Sequence, residues 1–102
     1  MKVTVVRYRT KPEMAEENAR LIRTVFDELR AKSPNDVRYL SVRLSDDTFV
    51  HVSIAETEDG TNPIPRLDAF RSFQSGIKER CVEPPQPAEA TIVGNYRMLD
   101  ER

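Results

Sequence analysis

Two neighbouring segments of the sequence, residues 37–44 and 49–56, carry the side chains best suited to chemistry. His51 is the only histidine in the chain, and histidine is the residue whose unperturbed pKa lies closest to neutrality. His51 is therefore the candidate catalytic residue, as a general base, or the anchor of a ligand. Period-two spacing places four further polar side chains on the same face, and these are the candidate ligand-binding residues: Tyr39, Ser41, Arg43 and Ser53.

Together these side chains offer one cation and several hydroxyl groups, a combination that suits a polar aromatic or acidic small molecule. A purely structural interpretation stays open beside this one. In it, His51 is a strand histidine that bonds to Ser41 or across a dimer sheet. Tyr39 is then a dimer contact, and Arg43 pairs with a carboxylate of the partner chain.

The alternation of apolar residues fixes how the two segments pair in an antiparallel hairpin. Their aliphatic side chains share one face only if paired positions sum to an even number. That rule places Val42 opposite Val50 and Ser41 opposite His51. It also requires a loop with an odd number of residues, such as three. One face of the hairpin is then aliphatic, and the other is mixed aromatic and polar.

The first half of the chain adds a strand and a helix ahead of this hairpin. Residues 2–9 are rich in valine and predict a strand. Thr10 and Glu13 have the spacing of a capping box, which predicts that a helix starts there. Pro34 predicts the end of that helix, because proline disfavours the α conformation in the residue before it.

The second half predicts a helix and a strand after the hairpin. Asn62 is expected to cap a helix whose apolar residues recur over residues 67–77, interrupted by Gly76. Prolines at 84–87 predict an extended connector. Residues 90–99 return to strand character.

The resulting order, β-α-β-β-α-β, predicts an α+β fold, the ferredoxin-like plait. It has a four-stranded antiparallel sheet in the order 4-1-3-2 with two helices on one face. We expect the helices to cover the aliphatic face of the hairpin and to leave the face with His51 open. Leaving an aromatic side chain uncovered forgoes roughly 1.5 to 3 kcal/mol. A second copy of the sheet, a nucleic acid or a small ligand should therefore cover that face.

The composition limits the class of protein. A chain of 102 residues with 38% hydrophobic residues suits a single domain, residues 1–102, with one modest core. The 16 basic and 17 acidic side chains give a net charge of -1, which argues against a nucleic-acid binder. The third strand also lacks the glycines and two of the aromatic residues of an RNA-recognition module. We therefore expect no nucleic-acid partner.

Metal and membrane sites are not expected either. One histidine and one cysteine cannot supply a structural zinc site, and three glycines form no phosphate-binding loop. The chain has no apolar run of membrane-spanning length. Cys81 cannot form an internal disulfide and is expected to be a buried structural thiol, so a reducing cytoplasm is the expected location.

The chain resembles the dimeric α/β-barrel family of the antibiotic biosynthesis monooxygenase type. The resemblance spans nearly the whole chain and rests on the order and spacing of four stretches: residues 5–13 with Lys11-Pro12, the hairpin of residues 38–50, Phe-Arg-Ser-Phe at 70–73, and Pro84-Pro85. It implies a homodimer in which two plaits pair sheet against sheet, with a pocket between the sheet and the helices of each subunit. Some members of this family oxidise aromatic compounds without a cofactor, some degrade haem, and many have no known activity.

The resemblance implies a small-molecule-binding protein and, if it is an enzyme, a cofactor-independent monooxygenase acting on an aromatic or enolisable compound. His51 would accept a proton, and Tyr39 and Arg43 would orient an enolate or phenolate. The chain departs from the haem-degrading branch because it contains no Trp. It also lacks the histidine often found ahead of the second-helix Phe-x-x-Phe, so no catalytic residue is carried over from the family. The alternative is a non-catalytic interaction domain whose polar-aromatic sheet face is only a dimer interface.

Overall fold

The computed structural model describes residues 1–100 and contains one four-stranded antiparallel sheet with helices on one side. The strand order is β2-β3-β1-β4, which confirms the predicted ferredoxin-like arrangement. No helix within residues 1–100 combines the length and the apolar character needed to cross a membrane. The elements are β1 (Lys2–Thr10), α1 (Ala15–Lys32), β2 (Val37–Arg43), β3 (Thr48–Ala55), α2 (Asp68–Gln74), α3 (Ile77–Arg80) and β4 (Cys81–Ala90), with 3-10 turns at Pro12–Met14 and Ile64–Arg66.

The hairpin of β2 and β3 has the predicted register. Ser41 pairs with His51, and the backbone N–H of Leu44 donates to the carbonyl of Thr48 over 2.7 Å. Three residues therefore form the loop, as the even-sum rule requires. Asp47, the last of them, has a φ of 66°, the left-handed conformation that ends a three-residue hairpin loop.

The helices cover the opposite face of the sheet from the one predicted. Tyr8 and His51 are only 1% and 5% exposed beneath the helices, whereas Leu40 and Val42 are 47% and 42% exposed on the open face. The predicted location of the aliphatic residues under the helices is therefore wrong. Alternation decides which side chains share a face, but it does not decide which layer covers that face.

The core between the sheet and the helices is partly aromatic. The Tyr8 ring stacks on Phe49 and on His51, with ring centroids 5.5 and 5.3 Å apart. Ile22 and Val25 from α1 and Phe73 from α2 complete the same buried cluster. The stacked rings bury large apolar areas, while the polar edges of Tyr8 and His51 keep hydrogen-bond partners.

The last strand starts earlier than predicted. β4 contains the proline cluster, and the segment 91–99, predicted as a strand, has no strand structure. β4 lies at the sheet edge and pairs only with β1, and an edge strand tolerates proline because one side needs no N–H donor. Ile92 and Leu99 instead line a groove with Val3 and Ile54 on the open face of the sheet.

The helix boundaries also differ in part. Thr10 ends β1 and caps nothing, because a 3-10 turn stands between it and α1 and no side-chain cap forms there. α1 ends as predicted, with Ser33 in a left-handed conformation ahead of Pro34. The second helix is divided at Gly76, whose φ of 81° suits glycine and breaks the helical run between α2 and α3.

Candidate functional site

A cavity of about 390 Å³ lies between the sheet and the C-terminal helices, a volume within the range of small-molecule sites. Most of its wall is apolar, with Phe70 and Phe73 from α2 and Ile77 from α3. Its polar groups come from the sheet, one loop and the end of α2: Thr4, Tyr8, Tyr39, His51, Ser53, Asn62 and Gln74. A few polar groups on an apolar wall can orient a small organic molecule while excluding water from it.

His51 joins the polar groups of this cavity. Its Nε2 lies 2.8 Å from the hydroxyl oxygen of Tyr8. Its Nδ1 lies 2.8 Å from the hydroxyl oxygen of Tyr39 and 2.7 Å from Oγ of Ser41. Both ring nitrogens therefore have hydrogen-bond partners, and those partners hold the imidazole in one orientation.

Burial controls the protonation of this cluster. It lowers the pKa of His51 from 6.5 to about 4, because the charged imidazolium loses its water. Burial also raises the pKa of Tyr39 to about 12, against a smaller opposing effect of its hydrogen bond with Ser41. The pKa of Tyr8 is raised even further by burial. At neutral pH the three rings are uncharged.

Two residues behind the cavity extend the cluster into the core. Asn18 is fully buried, and its Nδ2 donates to the Tyr8 hydroxyl over 2.8 Å. Arg80 donates from Nε to Oδ1 of Asn18 over 3.0 Å. Neither was a predicted site residue. Asn18 carried a signal, because it is the polar position that interrupts the apolar stripe of α1, whereas nothing in the sequence around Arg80 distinguishes it from a surface arginine.

The structure brings three of the four predicted ligand-binding residues to the cavity or to His51. Tyr39 and Ser53 line the cavity, and Ser41 contacts the His51 ring. Ser53 also accepts a hydrogen bond from Asn62 Nδ2 over 3.2 Å. The Oδ1 of Asn62 accepts from the backbone N–H of Ile64. Asn62 therefore supports the 3-10 turn and borders the cavity, but it does not cap the second helix as predicted, because α2 begins at Asp68.

Arg43 lies outside the cavity. Its guanidinium bonds to Glu16 and to Asp47, each over 2.8 Å, and lies over the Phe49 ring, 5.8 Å from its centroid. Arg43 is the last residue of β2, an edge strand, so its long side chain reaches carboxylates at the surface. The sequence placed Arg43 on the correct face but could not show that its charge is already neutralised there.

The remaining reactive groups offer no second centre. Cys81 packs partly against the core rather than being fully buried, and burial raises the pKa of its thiol. Across residues 1–100, no three His, Cys, Asp or Glu side chains meet in a way that could hold a metal ion. The part of the wall that the structure describes also contains no charged side chain.

Neither a protein-family model nor a curated protein matches this sequence. Solved structures do match its fold. A candidate antibiotic biosynthesis monooxygenase from Nitrosomonas europaea aligns with 92% of this chain and 100% of its own, at 16% identity and a TM-score of 0.74. A second one, from Caulobacter crescentus, aligns with 91% of this chain and 90% of its own, at 14% identity and a TM-score of 0.73.

A conserved protein from Methanosarcina mazei Go1 shares the fold as well, with 15% identity, a TM-score of 0.70, and coverage of 88% of this chain and 91% of its own. Identities this low show a common fold and do not transfer an activity. The chain thus has the fold of the antibiotic biosynthesis monooxygenase-type proteins that its sequence resembles.

Proposed function

We propose that the chain binds a small aromatic or enolisable molecule in the cavity beside His51. The observation that carries this proposal is the cavity itself, with an apolar wall and a hydrogen-bonded cluster at one end. Phe70 and Phe73 offer ring faces for an aromatic ligand. Ser53, Asn62 and Tyr39 offer the few polar groups that can fix its orientation.

We further propose that the bound molecule is oxidised by dioxygen without a cofactor, as the likeness to monooxygenase-type structures suggests. The substrate gives up a proton and becomes an enolate or phenolate. Its carbanionic carbon is oxidised by dioxygen, which is reduced, and a carbon–oxygen bond forms to give a peroxide. Cleavage of the O–O bond leaves a carbonyl on the substrate and releases the second oxygen atom as water. Two hydrogens of the substrate leave in that water, so the atoms balance.

His51 is the proposed proton acceptor, acting through Tyr8. Because Tyr8 lines the cavity and lies 2.8 Å from Nε2 of His51, its hydroxyl can take a substrate proton while passing its own to the imidazole. The buried imidazolium is unfavourable alone but is stabilised by the substrate anion formed beside it. The proton is returned when water leaves. Arg43 has no part in this step, since its charge is engaged outside the cavity.

A non-catalytic interaction domain is the other candidate function. It requires that the polar-aromatic face be fully buried in an interface between two sheets, with no cavity left beside it. That face instead lies under the helices and borders the cavity, so this alternative has less support. The open face is the aliphatic one.

We also propose that a second copy of this chain covers the open face. Leu40, Val42 and Leu44 are all more than two-fifths exposed there, and Val50 and Val52 are their neighbours across the hairpin. Covering one such side chain contributes roughly 1.5 to 3 kcal/mol. A twofold contact between two such sheets is self-complementary, because each presents the same aliphatic strip.

The ligand proposal is tested by calorimetric titration with 1-naphthol, an aromatic phenol, and acetylacetone, an enolisable diketone. Ser53→Leu extends a side chain into the cavity and should abolish binding. Ser72→Leu makes the same change on the exposed side of α2 and should not alter the affinity. If neither probe binds the wild type, the cavity is not a ligand site for such molecules.

The oxidation step is tested by oxygen uptake with the probe that binds. Isotopically heavy dioxygen should leave one labelled oxygen atom in the product and one in water. His51→Gln keeps a hydrogen-bonding side chain but cannot take the proton, so uptake should fall about a hundredfold or more. Binding without any uptake would leave a small-molecule-binding protein that is not an oxidase.

A further inference from the structure

Arg80 places a positive charge at the inner end of the His51 cluster. The side chain is only 5% exposed, and within residues 1–100 no carboxylate forms an ion pair with it. It is held by neutral acceptors: the carbonyls of Phe73 and Ser75 and Oδ1 of Asn18. A guanidinium has donors and no acceptor, so it can only donate to these groups.

This one-way donor sets the direction of every hydrogen bond that follows. Because Arg80 donates to Oδ1 of Asn18, the amide must present its Nδ2 to the Tyr8 oxygen, 2.8 Å away. The Tyr8 oxygen accepts that bond, and its own hydrogen is left to donate. The acceptor within reach is Nε2 of His51, at 2.8 Å. The neutral imidazole must then carry its hydrogen on Nδ1.

The hydrogen bonds on the other side of His51 lead to the cavity. The Nδ1–H group can donate to the Tyr39 oxygen at 2.8 Å or to Ser41 Oγ at 2.7 Å, and Ser41 in turn can donate to Tyr39. In both arrangements the Tyr39 oxygen accepts, which leaves its hydrogen to Ser41 Oγ or to a bound molecule, and an anionic oxygen is the stronger acceptor of the two. Tyr39 lines the cavity, so that hydrogen is available to a bound molecule.

We propose that Arg80 and Asn18 fix the direction of these hydrogen bonds, so that Tyr39 donates its hydroxyl hydrogen into the cavity. The cavity therefore selects ligands with an acceptor oxygen, above all a phenolate or enolate. This proposal rests on the proposed function, because it assumes that the cavity binds a ligand. It adds the chemical class of that ligand. The titratable side chains that face such an oxygen are Tyr8, Tyr39 and His51, all uncharged at neutral pH. Arg80 is the formal charge behind them, and it favours an anion.

One substitution should reverse the direction of these hydrogen bonds. In Asn18→Asp both side-chain oxygens are acceptors, so one takes the Arg80 hydrogen and the other takes the Tyr8 hydrogen. The Tyr8 oxygen must then accept from Nε2–H of His51, which moves the imidazole hydrogen to Nε2. The bare Nδ1 now accepts from Tyr39 or Ser41. The carboxylate also neutralises Arg80, so both reasons for preferring an anion are removed.

The direction can be observed without a ligand, because His51 is the only histidine. Long-range proton–nitrogen NMR spectra distinguish a protonated ring nitrogen from a bare one. We expect the wild type to carry its hydrogen on Nδ1 and Asn18→Asp to carry it on Nε2. Asn35→Asp adds the same charge at an exposed position and should keep the wild-type tautomer. A wild type protonated on Nε2 would overturn the proposal, whatever its binding properties.

The ligand class is tested with 4-nitrophenol, whose ionised form alone is yellow, and 4-nitroanisole, which has the same ring without an ionisable group. The wild type should bind the phenolate about tenfold more tightly, the effect of one hydrogen bond to a charged group. Tyr39→Phe leaves the hydrogen bonds from Arg80 to His51 intact and should remove that preference. Equal binding of both probes overturns this inference and leaves the cavity proposal standing. Binding of neither overturns both.

Discussion

The hydroxyl oxygen of Tyr8 lies 2.8 Å from Nε2 of His51, and the two rings also stack with their centroids 5.3 Å apart. The two residues lie on the neighbouring strands β1 and β3, two positions apart in the register, because Tyr8 pairs with Phe49 and His51 with Val6. Stacking removes both rings from water, and the hydrogen bond satisfies the polar edge of each ring that stacking buries. This contact makes His51 a neutral, oriented group instead of a surface histidine.

Stability should fall as the pH is lowered from about 6.5 to about 4. Burial gives His51 a folded pKa of about 4, against 6.5 for the exposed imidazole of the unfolded chain, so the unfolded chain binds the proton first. The contribution of neutral His51 to the free energy of unfolding is complete above the pKa of the unfolded state. It is lost progressively as the pH falls to the pKa of the folded state. Its size is about 3 kcal/mol. Urea unfolding at a series of pH values measures it.

His51→Gln is the control for this pH dependence, because glutamine does not titrate. Its free energy of unfolding should be nearly constant between these two pH values. The carboxylates whose pKa is lowered by ion pairs or hydrogen bonds, such as Glu28 and Asp46, affect both proteins at lower pH. An equal slope in the variant and the wild type would mean that the imidazole is not held neutral by the fold.

Tyr8→Phe should destabilise the protein although it keeps the ring. Without the hydroxyl group, Nδ2 of Asn18 loses its acceptor and Nε2 of His51 loses its donor, and both atoms are buried. Leaving a buried polar group unsatisfied costs about 1–3 kcal/mol. Tyr96→Phe removes a hydroxyl from a residue that is largely exposed and should change the free energy of unfolding by less than about 0.5 kcal/mol. Similar urea midpoints for the two variants would contradict the buried network.

The sequence predicted the sheet well because its information is local and periodic. The strand order followed from the β-α-β-β-α-β order of the elements, and the pairing of Ser41 with His51 followed from alternation and loop parity. The choice of the covered face did not follow, since both faces of the hairpin are apolar enough to be buried. The polar face can be buried because the polar atoms of Tyr8 and His51 satisfy each other under the helices, and local alternation does not show that contact.

The site was predicted in part for the same reason. His51, Tyr39, Ser41 and Ser53 share one sheet face, which the spacing of two makes visible. The partner Arg80 lies 62 residues from Asn18 along the chain, and no local pattern links such positions. The strand with Pro84 and Pro85 was missed because proline argues against a central strand, and the local sequence does not show that this strand lies at the edge.

Arg43 should prove dispensable for ligand binding. Because its guanidinium pairs with Glu16 and Asp47 outside the cavity, Arg43→Gln should leave the calorimetric affinity for 1-naphthol within about twofold of the wild type. Tyr39→Phe alters the cavity wall and should weaken it about tenfold. A large loss in Arg43→Gln would mean that the arginine leaves its carboxylates when a ligand binds.

Val42→Lys should dissociate the proposed homodimer. The substitution places an ammonium group in the middle of the aliphatic face, beside Val50 across the hairpin, where a covering copy would strip it of water. Size-exclusion chromatography with light scattering should give twice the chain mass of 11.7 kDa for the wild type and a single chain for the variant. Thr24→Lys adds the same charge on the exposed side of α1, in the other layer, and should stay dimeric. A monomeric wild type at every concentration would overturn the homodimer proposal, and a dimeric Val42→Lys would place the dimer contact elsewhere on the molecule.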